Sequence, residues 1–231
     1  MKEPVFFLVS TPIGNLEDLS ARAARILSEA DTILAEDTRN ARVLLARHGI
    51  STPVRSFHEH NEDRIAPAVI EELKGGRKIA LIADAGTPVV SDPGYRLVRR
   101  LIEEGIGVTA IPGPSAVLAA LVLSGLPPDR FTFFGYMPRK DGDRTRVLEE
   151  AGRNPYTSIF FESPHRLVQT LETASAVLGD REVVVARELT KLHEEVRRGD
   201  AATLAAHFTA AGVRGEITLL IRGTGRRRKA E

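Results

Sequence analysis

The most constraining feature of the chain is an apolar run that ends abruptly in a dense series of turn residues. Residues 79–83 are all apolar, and Asp84 follows them directly. An unbroken apolar run of this length is typical of a strand buried on both faces of a parallel sheet. After the turns, Asp92 and Pro93 are predicted to be the N-cap and first residue of a helix. This pattern predicts an α/β fold with a ligand-binding loop at the carboxyl end of a strand.

Strand-like and helix-like segments alternate along the whole chain. The runs predicted as strands are residues 5–9, 32–35, 78–83, 108–111, 131–135, 158–161, 182–186 and 217–221. Apolar residues at helical spacing lie between them, in the groups Leu19, Ala23, Ile26 and Leu27; residues 43–46; Ile65, Val69, Ile70 and Leu73; Tyr95, Leu97, Val98, Leu101 and Ile102; and Leu167, Val168 and Leu171. This alternation favours an α/β fold with much parallel pairing.

A Pro- and Gly-rich segment, residues 112–115, divides the chain into two stretches of alternating elements. A length of 231 residues accommodates two small domains. We predict an N-terminal α/β domain over residues 1–113, a C-terminal α/β domain over residues 114–223 and a basic tail over residues 224–231. The tail holds Arg226, Arg227, Arg228 and Lys229. A tail of this kind is usually a solvated chain end, and it is also suited to binding a polyphosphate backbone.

Composition excludes several classes of protein. The chain has no cysteine, which rules out disulfides, thiolate metal sites and a cysteine nucleophile. No run approaches the roughly 18 apolar residues of a membrane span, and the start of the chain does not resemble a signal peptide. We therefore expect a cytoplasmic protein without membrane association. The glycine pattern at residues 105–110 resembles a dinucleotide fingerprint, but it precedes its strand and does not indicate nucleotide binding.

Small and helix-capping residues follow four of the predicted strands. They are found at residues 11–12, 84–88, 112–115 and 163–164. Small residues let a ligand approach backbone N–H and C=O groups, and helix starts favour carboxylates and phosphates. Because this pattern recurs at several strand ends, it predicts a small-molecule site.

Charged residues concentrate in four other segments, namely residues 36–39, 57–61, 162–166 and 187–191. Each segment has a structural interpretation, in which Asp37 or Thr38 caps one helix, Ser163 caps another, and the remaining charges form ion pairs or lie in solvent. In the functional interpretation, the first two segments form a substrate mouth, and Lys191 and Arg187 face an anionic substrate. The histidines flanking Glu59 lack a third recognisable ligand, so we predict no metal site.

Several segments together resemble the ribosomal RNA small subunit methyltransferase I family of the tetrapyrrole methylase superfamily. The matching segments are residues 9–18, 35–39, 84–94, 111–116, 161–166, 187–191 and 215–220. The resemblance implies a two-domain, class III methyltransferase fold of α/β type, with the ligand cleft between the domains. Two residues depart from the family's usual pattern, since Ala83 replaces a serine and Val89 replaces a glycine.

The resemblance also implies an activity and partners. The family transfers a methyl group from S-adenosyl-L-methionine to the ribose 2′-hydroxyl of a cytidine in the decoding region of 16S rRNA. The expected partners are 16S rRNA, within the 30S subunit, and a second copy of the chain in a homodimer. In-line methyl transfer needs alignment of oxygen, carbon and sulfur, and it requires neither a metal nor a covalent intermediate.

These expectations assign candidate residues to two roles. The residues predicted to bind the methyl donor are Pro12, Asp84, Gly86, Thr87, Ser115, Ala116 and Glu162, with Thr218 as a further wall. The predicted catalytic set is Glu36, Asp37, Arg39, His60 and Lys191. The proton acceptor is left open among Glu36, Asp37, Glu59, His60 and Glu188, while Lys191 or Arg39 would hold phosphate or lower the pKa of the hydroxyl.

Two rival functions are considered. A carbon methyltransferase acting on a tetrapyrrole would need a broad apolar cleft, and the polar residues 36–39 argue against one. A noncatalytic RNA-binding protein would not need the turn-rich segment at residues 84–94. The chain has nine Phe, three Tyr and no Trp, which predicts little stacking on single-stranded bases.

Overall fold

The computed structural model describes residues 5–225. The chain divides into two compact units, unit 1 ending at Ser115 and unit 2 beginning at Ala116. The sequence predicted the boundary between residues 113 and 114. The four basic residues of the predicted tail lie outside the described residues. No helix within residues 5–225 combines the length and apolar character needed to cross a lipid bilayer.

Unit 1 is a five-stranded parallel sheet with helices. Its strands are β1 (Phe6–Val9), β2 (Thr32–Ala35), β3 (Val54–Ser56), β4 (Ile79–Ile82) and β5 (Val108–Ile111). Its helices are α1 (Ala21–Glu29), α2 (Thr38–Arg47), α3 (Glu62–Lys74) and α4 (Tyr95–Glu103), with a short 3-10 helix at Leu16–Asp18. The strand order is β3-β2-β4-β1-β5. This order places β4, β1 and β5 side by side, so their carboxyl ends meet at one edge.

The core of unit 1 lies on both faces of its sheet. Ala80 and Ile82 of β4 belong to one apolar cluster, and Ile79 and Leu81 belong to the other. Successive residues of a strand point to opposite faces, so the unbroken apolar run at β4 follows from burial on both sides. The prediction of a doubly buried strand is confirmed.

Unit 2 contains a mixed five-stranded sheet. Its strands are β6 (Phe131–Tyr136), β7 (Thr157–Glu162), β8 (Glu182–Arg187), β9 (Glu195–Asp200) and β10 (Ile217–Ile221). Its helices are α5 (Ala116–Ser124), α6 (Asp141–Arg153), α7 (Leu167–Leu178) and α8 (Ala201–Ala211). The order is β6-β7-β10-β8-β9, and only β6 and β7 pair in parallel. The expectation of much parallel pairing is therefore correct for unit 1 and wrong for most of unit 2.

All eight predicted strands are present, and β3 and β9 were missed. β3 has only three residues, and none of them is buried. β9 reads Glu-Val-Arg-Arg-Gly-Asp and lies at the edge of its sheet. Neither segment shows the apolar pattern by which strands are identified, because neither is covered on a full face.

The predicted start of α4 is wrong. The helix begins at Tyr95, and its N-cap is Gly94, whose φ of 122° is unfavourable for other residues. The buried carboxylate of Glu62 on α3 accepts a 2.8 Å hydrogen bond from the Leu97 N–H in the first turn. A capping carboxylate therefore comes from a neighbouring helix, and neither Asp92 nor Pro93 serves as N-cap or first residue.

The apolar stripe of α4 is narrower than predicted. Leu97 and Leu101 are buried, whereas Tyr95 and Ile102 are 63% and 64% exposed. The helix packs against α3 and β5, and Leu97 and Leu101 are the side chains that it buries in the core. Tyr95 and Ile102 therefore share the helical apolar spacing but not the buried face of the helix.

Candidate active site

The loops after β1, β4 and β5 are joined by hydrogen bonds at the carboxyl edge of the unit 1 sheet. The Thr11 N–H donates to the Gly86 carbonyl at 2.9 Å, and the Gly86 N–H donates to the Thr11 carbonyl at 3.1 Å. Ser10 Oγ donates to Thr87 Oγ1 at 3.3 Å, and Thr87 Oγ1 donates to the Pro114 carbonyl at 3.4 Å. Three loops far apart in sequence thus form one group.

Close approach of these loops depends on two glycines. A Cβ on Gly113 would lie 2.9 Å from the Cβ of Ser10, which is closer than real side chains permit. Gly86 has a φ of 80°, and a Cβ there would lie 3.4 Å from Ile13 Cγ2. The structure brings the predicted donor residues Gly86 and Thr87 next to buried Pro12 and the Pro114–Ser115 step. Backbone groups line much of this cluster.

Asp84 connects the β4 loop to the loop after β2. Its Oδ1 accepts a 3.1 Å hydrogen bond from the Asp37 N–H, and its Oδ2 is 3.5 Å from Asn40 Nδ2. The Asp84 side chain is exposed, so its carboxylate is oriented by neighbours but still open to a ligand. Asn40 was not among the predicted residues. Its polar side chain in the first turn of α2 was the available signal.

Three carboxylates of these loops, Glu36, Asp84 and Asp92, are close enough for their charges to affect one another. Partial burial, followed by the Asp84 charge, raises the pKa of Glu36, while His58 lowers it and Glu59 raises it by smaller amounts. Burial, followed by the charges of Glu36 and Asp84, raises the pKa of Asp92 to about 6. Asp92 was predicted only as a helix cap, and its place in the same turn-rich segment as Asp84 was the available signal. A raised carboxyl pKa is a common property of proton-accepting groups in enzymes.

Asp37 and Arg39 have mainly local partners. Asp37 is the N-cap of α2 and accepts a 2.8 Å hydrogen bond from the Arg39 N–H. The Arg39 side chain also donates to Asp37, and these hydrogen bonds lower the pKa of Asp37 to about 2. The capping and ion-pair interpretation therefore describes this pair in the structure.

The histidines of the loop after β3 lie near each other. The ring centroids of His58 and His60 are 6.0 Å apart in an edge-to-face arrangement, and His60 is exposed, as is Glu59. Across residues 5–225, no group of three His, Asp or Glu side chains is placed to hold a metal ion.

In unit 2, Glu162 is buried at the end of β7, and its carboxylate is fully engaged. It accepts hydrogen bonds from the Ser163 N–H at 2.7 Å and from Thr170 Oγ1 at 2.5 Å. Arg166 Nη2 lies 2.6 Å from the same carboxylate. The predicted donor-binding residue therefore holds its own loop in place. Ser163 is not a helix cap, because α7 begins at Leu167 with Arg166 at its N-cap.

Lys191 lies in the connection from β8 to β9 and is ion-paired. Its Nζ is 2.7 Å from Glu188 Oε1 and 3.2 Å from Glu216 Oε2. Burial opposes ionisation of Glu188, but its hydrogen bonds with Lys191 and the Glu216 N–H lower its pKa overall. The surface ion-pair interpretation accounts for these contacts.

The Glu162 loop follows β7 and the loop that contains Lys191 follows β8, and both lie at the same edge of the unit 2 sheet. Glu162 and Arg187, the last residues of β7 and β8, both pair with Ile217 of β10. Ala116 is the first residue of α5, and Thr218 is buried within β10. The structure therefore groups the predicted residues into two sets, one in each unit.

Ala83 and Val89, the two departures from the expected family pattern, lie in the β4 loop. The Ala83 carbonyl accepts a 3.2 Å hydrogen bond from Thr11 Oγ1, so its backbone still joins two loops. Val89 has a φ of 75°, a conformation that a β-branched residue adopts at a cost. The loop keeps its turn without the usual glycine.

The chain belongs to the tetrapyrrole methylase family. Its residues 5–205 match the family described as Tetrapyrrole (Corrin/Porphyrin) Methylases. Within this family it belongs with proteins named ribosomal RNA small subunit methyltransferase I. It is 51% identical to the one from Mesorhizobium japonicum, over 95% of this chain and 75% of that protein. It is 46% identical to the one from Thermotoga maritima, over 94% of this chain and 97% of that protein.

Solved structures show the same fold at low sequence identity. A diphthine synthase superposes with a TM-score of 0.76 at 16% identity, covering 97% of this chain and 92% of that chain. The uroporphyrin-III-C-methyltransferase from Thermus thermophilus superposes with a TM-score of 0.64 at 19% identity, covering 94% and 93%. The predicted two-domain tetrapyrrole-methylase fold is confirmed.

Proposed function

We propose that the chain is an S-adenosylmethionine-dependent methyltransferase that modifies the ribose 2′-hydroxyl of a cytidine in the decoding region of 16S rRNA. The observation that carries this proposal is 51% identity, over 95% of the chain, to a protein named ribosomal RNA small subunit methyltransferase I. The loop cluster of unit 1 supports it, because Pro12, Gly86, Thr87 and Ser115 of the predicted donor set lie in its three hydrogen-bonded loops.

The chemistry of the β1, β4 and β5 loops fits S-adenosylmethionine. The donor presents an ammonium, a carboxylate and ribose hydroxyls, which suit the exposed carboxylate of Asp84 and the backbone groups around Gly86. When bound, it supplies a methyl group already activated by a sulfonium. Pro12, Thr87, Ser115 and Ala116 complete the proposed donor set. Glu162 acts as a positioning residue that holds residues 162–166.

On the acceptor side, we propose Glu36 as the group that takes the proton of the 2′-hydroxyl. Its pKa is raised by burial and by Asp84, which makes it a better base than an ordinary carboxylate. Asp37 and Glu188 have lowered pKa values and are engaged with Arg39 and Lys191. Arg39 and Lys191 would hold phosphates of the RNA, and the exposed His60 would line the entrance.

The proposed substrate is 16S rRNA within the 30S subunit, in the cytoplasm, and the proposed assembly is a homodimer. These details follow from the family and not from the contacts within either unit. The fold is shared with the uroporphyrin-III-C-methyltransferase, but at 19% identity that likeness supports the fold alone. No contact within the described residues favours a tetrapyrrole substrate.

A direct test supplies the protein with methyl-labelled S-adenosylmethionine and 30S particles from cells lacking the corresponding methylation. We expect label on one ribose of 16S rRNA, mapped by fragment mass spectrometry. Free 16S rRNA, uroporphyrinogen and a Glu36→Gln variant are assayed in parallel. Label on uroporphyrinogen instead of RNA would show a carbon methyltransferase. RNA binding without donor binding would show a noncatalytic protein.

A further inference from the structure

The outer strand of the unit 2 sheet, β6, carries aromatic side chains on the face opposite its main core, and two of them, Phe131 and Tyr136, are exposed. Phe134 and Phe160 stack at 4.8 Å and belong to the core under α6, α7 and α8. Neighbouring strand residues point to the opposite face, where Phe133 and Phe161 meet edge to face at 5.0 Å. On that face α5 packs mainly over β8, β9 and β10, away from β6.

A bulge adds a third ring to this face. Gly135 has a φ of 76°, and the pairing of β6 with β7 shifts between Phe133 and Tyr136. Without the extra residue, positions 133 and 136 would point to opposite faces. With it, Tyr136 pairs with Phe161, and their ring centroids are 5.4 Å apart. Bulges often re-aim a side chain toward a functional surface.

We name Phe131, Phe133, Tyr136 and Phe161 the aromatic strip. Tyr136 is 63% exposed and Phe131 is 39% exposed, while Phe133 and Phe161 are partly buried, and Phe161 packs against the Tyr136 ring. The scarcity of aromatic residues predicted little base stacking. The chain has nine Phe and three Tyr, and the structure gathers three of these Phe and one of these Tyr at one edge of unit 2.

Basic residues flank the aromatic strip at both ends of β6. Arg130 precedes the strand and lies over the Tyr156 ring, 5.5 Å from its centroid. Arg139 and Lys140 follow the strand, both are exposed, and neither forms an ion pair with any of residues 5–225. The nearest acid in sequence, Asp141, is paired with Arg144. Exposed rings with unpaired cations beside them are the combination used to bind single-stranded nucleic acid.

We propose that the aromatic strip seats unpaired RNA nucleotides, with bases on Tyr136 and Phe131 and phosphates on Arg139 and Lys140. This inference rests on the proposed function and assigns its RNA contacts to unit 2. We assign RNA to the aromatic strip because an apolar protein surface bound there would leave Arg139 and Lys140 without partners. The strip runs along β6 and includes Phe161 of the neighbouring strand β7, which leads directly into the Glu162 loop.

The first test is binding of a fluorescent single-stranded oligoribonucleotide of the decoding region, measured by anisotropy. Tyr136→Ala should weaken binding about 5- to 150-fold, as expected for loss of one stacked base. Tyr136→Phe should bind like the parent protein, because it keeps the ring. Tyr95→Ala, in which an equally exposed tyrosine is lost from unit 1, is the matched control and should change nothing. Parent-like binding by Tyr136→Ala would overturn the proposal, as would equal losses in the Phe variant.

The second test places an abasic nucleotide at each position of the oligoribonucleotide in turn. At the position seated on Tyr136, the abasic change should weaken binding to the parent and have no further effect on Tyr136→Ala. Additive effects at every position would contradict stacking.

The double variant Arg139→Ala and Lys140→Ala should reduce the slope of log affinity against log salt by about 1.4, whereas Arg22→Ala should not. An unchanged slope would contradict the phosphate contacts.

The third test separates the aromatic strip from other occupants and from the proposed function. Tyr136→Ala should keep the sedimentation mass and S-adenosylmethionine affinity of the parent protein. A changed mass would mean that a second copy covers the strip, and a weakened donor affinity would assign the strip to the donor. Either result would overturn the proposal.

If the parent methylates 16S rRNA but Tyr136→Ala binds RNA normally, only the proposed role of the aromatic strip is refuted. If the parent transfers no methyl group while the stacking results hold, only the proposed function is refuted.

Discussion

At the scale of single residues, the site is organised around carboxylates whose surroundings differ sharply. Asp37 is held ionised by Arg39, whereas Asp92 and Glu36 have raised pKa values because burial and neighbouring acids disfavour their charge. Three similar side chains on neighbouring loops therefore have different protonation behaviour. The same residue types in sequence gave no sign of this difference, since the cause lies in the side chains around each one.

Asp84→Ala should weaken binding of S-adenosylmethionine about 10- to 100-fold, since it removes a charged partner for the donor's ammonium. Isothermal calorimetry measures this directly, with RNA affinity as the internal comparison. Asp84→Asn keeps an acceptor for the Asp37 N–H and separates the lost charge from loop disorder. Asp18→Ala, which removes an exposed acid of unit 1, is the control. Donor affinity equal to that of the parent in both Asp84 variants would remove Asp84 from the donor site.

Asp92 should make the free energy of unfolding fall as pH rises. Its folded pKa of about 6 lies above the ordinary aspartate value of 3.8, so folding favours the protonated form. This contribution is fully present below about pH 4 and is lost as pH rises through 6. Asp92→Asn should match the parent near pH 4 and be more stable at pH 8, by less than about 3 kcal/mol, because solvent screens the partly exposed carboxylate. Urea unfolding at both pH values checks this, and parallel pH profiles would contradict it.

At the scale of elements, the connection from β4 to α4 shows how tertiary contacts replace local signals. Val89, Ser91 and Gly94 all have positive φ values, so residues 89–94 turn tightly where the sequence predicted a helix start. Glu62 supplies the hydrogen bond that a local cap would otherwise make to the first turn of α4. Such a cap links two helices directly, which explains why a carboxylate is buried there.

Gly94→Ala should destabilise the protein by about 2 to 4 kcal/mol. A Cβ at this position would lie 2.7 Å from Leu81 Cδ2 of β4, and the φ of 122° is itself unfavourable for alanine. Gly49→Ala is the matched control, because Gly49 has a φ of 67° with nothing within 4 Å of its Cβ position. That variant should lose only about 1 kcal/mol. Equal losses in urea unfolding would show that contact with Leu81 is unimportant.

At the scale of the whole molecule, both units share one arrangement. In each unit, several strands run in the same direction, and the loops that follow them lie at one edge of the sheet. In unit 1 these are the loops after β4, β1 and β5, and in unit 2 they follow β7 and β8. Net charge is +1, yet four basic residues are concentrated in residues 226–229. The charge balance of the rest of the chain is therefore slightly negative, and any attraction of RNA depends on where cations are placed.

Deletion of residues 226–231 should weaken binding to 30S particles and flatten its salt dependence. The deletion removes four basic residues and one acidic residue, which changes the net charge from +1 to −2. Each cation that neutralises a phosphate of single-stranded RNA contributes about 0.7 to the slope of log affinity against log salt. Loss of four cations should therefore reduce this slope by up to about 3. Filter binding at several salt concentrations measures the slope. A matched chain with the four cations replaced by Ser tests charge apart from length, and unchanged slopes would exclude the tail.

The sequence by itself determined the buried strands, the positions of the helices and the loops that carry the candidate site. β2, β5 and β10 begin and end at the predicted residues, because apolar pattern and turn residues are local properties. Only the tertiary structure decided the antiparallel pairing in unit 2, the capping of α4 by Glu62, the pKa of Asp92 and the grouping of the aromatic strip. Each of these depends on contacts between residues distant in sequence, and such contacts leave no periodic signal in the chain itself.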